Sequence, residues 1–120
     1  MIGDMRLGSL TVHFASEEQA EALRGQSGLR IAEIGAAIRS QEDFFRELAR
    51  VLEFPDYFGH NWDAVNDCLG DLDTEQPLVL LMHNAAALWS RLGDDMSMFV
   101  EVWIDTSTSL GGDLHLVFVR

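Results

Sequence analysis

Apolar positions recur along this chain in two periods, and the alternation between them lays out the fold. Phe44, Phe45, Leu48, Val51 and Leu52 repeat at helical spacing, and Trp62, Val65, Leu69 and Leu72 do so again. The continuous apolar run at 77–82 and the mostly apolar stretches at 29–34 and 114–119 read instead as strands. Pro77 stands first in its run, where a missing amide hydrogen is tolerated, and that run reads as a central strand covered on both faces. The polar residues between runs supply the stops. Gly35 ends the first run, Ser40 caps a helix with Asp43 at its capping-box position, and Asn84 caps a helix over 85–92 that Gly93 stops. Asp95 caps another helix, whose inner stripe is Met96, Phe99, Val100, Trp103 and Ile104, and Gly111-Gly112 breaks the chain before the last strand. Strands separated by helices predict an α/β fold, a small parallel sheet with right-handed crossovers. Residues 29–120 account for it as one domain. Residues 1–28 are an N-terminal extension: 10–14 alternates as a half-buried strand does, and Ser16-Glu17-Glu18-Gln19 is a capping box opening a short helix that Gly25 ends. The extension leaves room for an extra edge strand.

The stretch from Phe54 to Leu72 carries the candidate chemistry. Pro55 fixes its own φ and biases Phe54 towards an extended backbone, while Gly59 opens angles closed to other residues. Asn61 is a good N-cap, and Asp63 and Asp67 follow one turn apart on a single helix face. Like charges at that spacing cost an isolated helix roughly 0.2–0.5 kcal/mol. Two readings are open: Asp63 meets the positive end of the helix dipole and Asp67 is merely solvated, or the pair serves a partner.

Charge narrows the partner without choosing between those readings. Twenty acids against eight bases, all of them Arg, give a net charge of −12 in 120 residues. Such a field repels nucleic acid and anionic membranes and speeds encounter with a basic partner. The single Cys68 excludes an internal disulfide and sits in the helical repeat as a packed, unreactive thiol. No leader-like pattern opens the chain and no segment is long enough to span a bilayer, so a cytoplasmic location is expected. There is no Gly-rich phosphate loop, no His pair at metal-ligand spacing and no nucleophile elbow, and no cofactor or metal is expected. A metal-assisted hydrolase using Asp63, Asp67 and His60, with His83 also within conceivable reach of the acids, is the weakest of the functional alternatives.

The run Pro-x-Tyr-Phe-Gly-x-Asn-x-Asp-Ala-x-x-Asp-Cys-Leu, from Pro55 to Leu69, resembles the barstar family of intracellular ribonuclease inhibitors. The likeness extends upstream to Gly35 through Ile38-Arg39-Ser40, resumes at Pro77-Leu78-Val79-Leu80, and covers about residues 29–120. It implies a three-stranded parallel sheet, an inhibitor rather than an enzyme, and a partner-binding surface of Tyr57, Gly59, His60, Asn61, Trp62, Asp63, Ala64, Asn66, Asp67, Gly70 and Asp71. By the same resemblance Asp67 stands where the family's phosphate-mimicking acid does, Asp63 is the second anchor, Tyr57 stacks on a catalytic His, and a distal acid falls near Asp105 or Thr106. The partner implied is a basic, extracellular-type ribonuclease or a related toxin nuclease, bound by a monomer, with no direct contact to nucleic acid. Two departures stand out: Asn66 and Leu72 occupy positions where the family carries tryptophan. A barstar-like interaction module that regulates a non-nuclease partner is the alternative.

Overall fold

The apolar run that follows Pro77 sits in the middle of the molecule. It forms β3 (Leu78–Met82), buried at every residue, in a computed structural model that describes residues 11–35, 38–72, 75–111 and 113–120. Leu10 and Gly112, which belong to the expected first strand and to the break before the last, lie outside the described residues. β2 (Arg30–Ile34) pairs with one side of β3 and β4 (Leu114–Val119) with the other, and β1 (Val12–Ala15) adds beyond β4, giving the order β1-β4-β3-β2. All three pairings are parallel, with Leu80 opposite Ala32 and Leu116, and Phe14 opposite Phe118. Parallel neighbours need crossovers. Between β2 and β3 the crossover is α2 (Gln41–Val51) with α3 (Trp62–Gly70), and between β3 and β4 it is α4 (Ala85–Leu92) with α5 (Asp94–Ser109), while α1 (Glu17–Arg24) carries the chain from β1 to β2 at the opposite edge. Where three strands are expected the sheet has four, because the N-terminal edge strand is part of it.

The period of two along each strand divides the core. Leu78, Leu80, Met82, Leu114, Leu116 and Phe118 face a large cluster with Phe44, Phe45, Leu48, Val65, Leu69, Met96, Phe99 and Trp103 from the helices between β2 and β4. Val79, Leu81, Val117 and Val119 face the opposite way, onto Ala15, Ala20 and Leu23 of the N-terminal unit. The Ser16–Gln19 capping box forms as expected, with both reciprocal bonds present. Ser107, fully buried, donates to the Leu114 carbonyl at 2.8 Å and ties α5 to β4.

The half-buried first strand forms with its inner face now assigned, and three local expectations are corrected. In β1 the buried side chains are His13 and Ala15, whereas Phe14 is 65% exposed and stacks on Phe118 at 5.6 Å. The register with β4 turns the odd positions towards α1 and leaves the larger ring on the outer edge. Asn84 precedes α4 in left-handed geometry, φ 55° and ψ 48°, and its side chain makes no cap bond. Asp95 is no cap: α5 begins after Gly93, and Asp95 lies in its first turn, accepting from Gln41 at 2.8 Å. Ile104 is exposed, since the inner stripe of α5 runs Met96, Phe99, Trp103, Thr106 and Ser107, which leaves 104 off the buried face.

An ion-pair cluster holds α1 against the sheet. The Arg24 guanidinium reaches Glu33 of β2 at 2.6 Å through Nη2 and at 3.1 Å through Nε, and His83 Nε2 lies 2.7 Å from the same carboxylate. Arg24 first, and His83 after it, hold the Glu33 carboxyl below the usual carboxylate range against the opposing effect of partial burial. A depressed folded-state pKa contributes stability above the ordinary Glu value, and that contribution is lost as pH falls through the depressed one. Both side chains are about a third exposed (31% and 38%), so the effect is at the level of a surface pair. Glu33→Gln is expected to lower stability at neutral pH by roughly 0.2–1 kcal/mol. The difference from the wild type should vanish in acid below the carboxylate range, as urea titrations at the two pH values will show.

Candidate functional site

Two phenylalanines anchor the turn that leads into α3. Phe54 and Phe58 are buried with ring centroids 5.1 Å apart, and Phe58 packs edge-on against Phe45 at 6.2 Å. The Phe58 amide donates to the Pro55 carbonyl at 2.9 Å, closing the turn. With its neighbours facing inward, Tyr57 projects outward and is 82% exposed. Gly59 does not use the freedom expected of it, for its φ is not in the left-handed region and a Cβ there meets Asn61 Nδ2 at an ordinary 3.5 Å. Asn61 is the N-cap, its side chain accepting from the Ala64 amide at 2.8 Å and donating back to the Gly59 carbonyl.

Burial of Val65, Cys68 and Leu69 fixes the rotation of α3 on the core. Trp62 is half-buried against Phe45 at 4.9 Å, Ala64 is half-buried, and Asp63, Asn66, Asp67, Gly70 and Asp71 face outward. Asp63, Asp67 and Asp71 therefore form one stripe at i, i+4 spacing, roughly 12 Å long at 1.5 Å per residue. Burial, and after it Asp71 and Asp67, push the Cys68 thiol above its ordinary value, which makes it a poor nucleophile.

α3 packs along α5, and the C-terminal ends of the two helices enclose an open groove of about 370 Å³. Asn66, Asp67, Gly70 and Asp71 line it from α3 and its C-cap, with Asp105, Thr106, Ser109 and Leu110 opposite. Thr106 Oγ1 donates to Asn66 Oδ1 at 3.0 Å across the junction, so Asn66 serves as a strut between helices. Gly70 contributes no side chain, and a Cβ there would stand in open space.

The electrostatics of this groove run against helix stability. A carboxylate near a helix C-terminus opposes the macrodipole, typically by about 0.3–1 kcal/mol, and both groove helices place acids there. Helices α1, α2 and α4 each carry an arginine in the last turn, Arg24, Arg50 and Arg91, whereas α3 and α5 carry no base in theirs. Among the described residues, none of Asp63, Asp67, Asp71 and Asp105 takes part in an ion pair. Three carboxylates and two negative helix ends thus converge on one opening, an arrangement suited to cationic groups.

The structure gathers only part of the expected surface into the groove. Tyr57, Gly59, His60, Asn61, Trp62, Asp63 and Ala64 lie outside its lining, at the N-terminal end of α3. The two histidines are both committed elsewhere than to the acids: His60 Nδ1 pairs with Glu42 Oε1 of α2, and His83 lies between Glu33 and Glu17 at 2.7 and 3.5 Å. Among the described residues no group of three or more His, Cys, Asp and Glu is placed to hold a metal ion, and no helix is long and apolar enough to cross a membrane. Ser109 and Leu110 are groove residues that sequence reasoning missed, although an α5 ending without a base was a readable signal.

A small parallel α/β sheet that carries an acidic helix and an unpaired groove at one end defines a protein built to present a surface rather than to enclose a reaction. The family model described as Barstar (barnase inhibitor) matches residues 30–119, about three quarters of the chain, and the protein belongs to the barstar family. Members of that family are inhibitors and not themselves enzymes. Comparison with curated proteins gives no match.

Proposed function

We propose that this protein is a cytoplasmic inhibitor of a basic ribonuclease or a related toxin nuclease, blocking the active site with α3 and the rim of α5. The observation that carries the reading is the convergence of Asp67, Asp71 and Asp105 on a groove at two helix C-termini with no basic residue among the described residues of its lining to offset them. A ribonuclease cleft holds phosphodiesters with Arg, Lys and His, and carboxylates on rigid helices offer anionic oxygens to those same donors. Asp67 is the phosphate mimic in this scheme, Asp63 the second anchor, and Tyr57 the aromatic contact that reaches beyond the groove. The net charge of −12 hastens encounter with a basic enzyme, an advantage that salt weakens.

The test is a titration of the purified protein against a panel of basic microbial ribonucleases that includes barnase, read by RNA cleavage. Near-stoichiometric loss of cleavage with at least one enzyme is the expected result. Full cleavage by every enzyme at large excess would instead favour the second reading, an interaction module for a non-nuclease partner. What speaks for that second reading is Asn66, which is spent on Thr106 and brings no aromatic ring to the groove.

A further inference from the structure

The contact between Glu42 and His60 joins two elements that no crossover requires to touch. Glu42 stands in the first turn of α2, and His60 belongs to the turn between the buried Phe58 and the cap residue Asn61. The imidazole ring lies 5.2 Å from the Phe58 ring and 6.4 Å from the Phe45 ring, with its Nδ1 on the Glu42 carboxylate. A carboxylate can only accept, so Nδ1 carries the proton, and in the neutral ring Nε2 is left as an acceptor. The side chain is 39% exposed, and His60 stands three residues after the exposed Tyr57 and three before the exposed Asp63.

We propose that Glu42 sets the His60 tautomer so that Nε2 accepts a hydrogen bond from a cationic side chain, a Lys or Arg, on the partner nuclease. This rests on the inhibitor reading above and adds to it one contact and its regulation. Glu42 is the charged group in contact with the ring among the described residues, and in sequence the titratable groups closest to His60 are Tyr57 and Asp56 in the turn and Asp63 on α3. Protonation turns Nε2 from acceptor into donor and sets a positive ring against the partner's cation. The complex therefore weakens in acid through His60.

Two measurements decide it. In the free protein, nitrogen-15 chemical shifts of the imidazole should show the Nδ1–H tautomer, and Glu42→Gln should mix the two tautomers; a predominant Nε2–H form would overturn the proposal. With a ribonuclease that the wild type inhibits, dissociation constants are then compared from about pH 8 to about pH 5, the span in which imidazoles titrate. His60→Gln, which offers an acceptor with no titration, should bind more weakly at the alkaline end. The wild type should lose roughly 10-fold more affinity across the span than the variant, the worth of one hydrogen bond to a charged group. Equal losses in both proteins, with melting temperatures unchanged, refute the role of His60 and leave the inhibitor reading intact. Failure to inhibit any enzyme of the panel removes that reading, and this inference with it.

Discussion

Asp67→Ala is expected to weaken the complex with the target ribonuclease by roughly 2–5 kcal/mol, the cost of truncating one partner of a buried, hydrogen-bonded charge pair, in a range to which barnase–barstar itself contributed. Most of the loss should fall on the dissociation rate, because a desolvated charge pair holds the complex together once it is formed. The free protein should respond the other way. Asp67 stands four residues from both Asp63 and Asp71 and has no cationic partner among the described residues. Its removal relieves two like-charge contacts, each worth roughly 0.2–0.5 kcal/mol, so thermal stability should hold or rise. Weaker inhibition together with equal or greater stability is the signature of a residue kept for binding. A variant that both binds and melts like the wild type would show that the acid is only a solvated surface charge.

Deleting residues 1–28 is expected to unfold or aggregate the protein, despite the family match beginning only at residue 30. The deletion removes Ala15, Ala20 and Leu23, and with them the cover over Val79, Leu81, Val117 and Val119, all of them fully buried. Each large apolar side chain fully uncovered costs about 1.5–3 kcal/mol, against a total stability of about 5–15 kcal/mol for an ordinary domain. The outer edge of β4 loses its partner as well, and an unpaired hydrophobic strand edge is a template for association. Size-exclusion chromatography and circular dichroism of the truncated chain provide the check. A monomeric product with cooperative melting would show that the extension is a decoration.

The parts of the fold that the sequence made legible are those where local chemistry and packing agree. The caps at Ser16, Ser40 and Asn61 form the bonds their side chains invite, and the continuous run at Leu78 is the fully buried strand its composition requires. Open choices and misreadings arise where tertiary contacts choose between equivalent local options. In β1 either face of an alternating strand can be the inner one, and pairing with β4 chose His13 over Phe14. Asn84 and Asp95 are good caps on paper, yet backbone left-handedness at one and the start set by Gly93 at the other give them different work. At the candidate site the stripe of α3 follows from spacing alone. The wall opposite does not, because no period within one helix reveals that Asp105 and Ser109 of another will end beside it.

The parallel pairing of β1 with β4 has a consequence for how this protein is made. Ribosomes deliver the amino end first, so residues 12–15 wait until residues 116–119 have been made for the strand they will lie beside. Pairing across so long a stretch of chain is slow, since the loop it closes must be ordered before the contact repays it. Until that docking, the apolar underside of the nascent sheet stays open to the cell. The gap between translation and protection is then set by the emergence of the six-residue β4, Leu114–Val119.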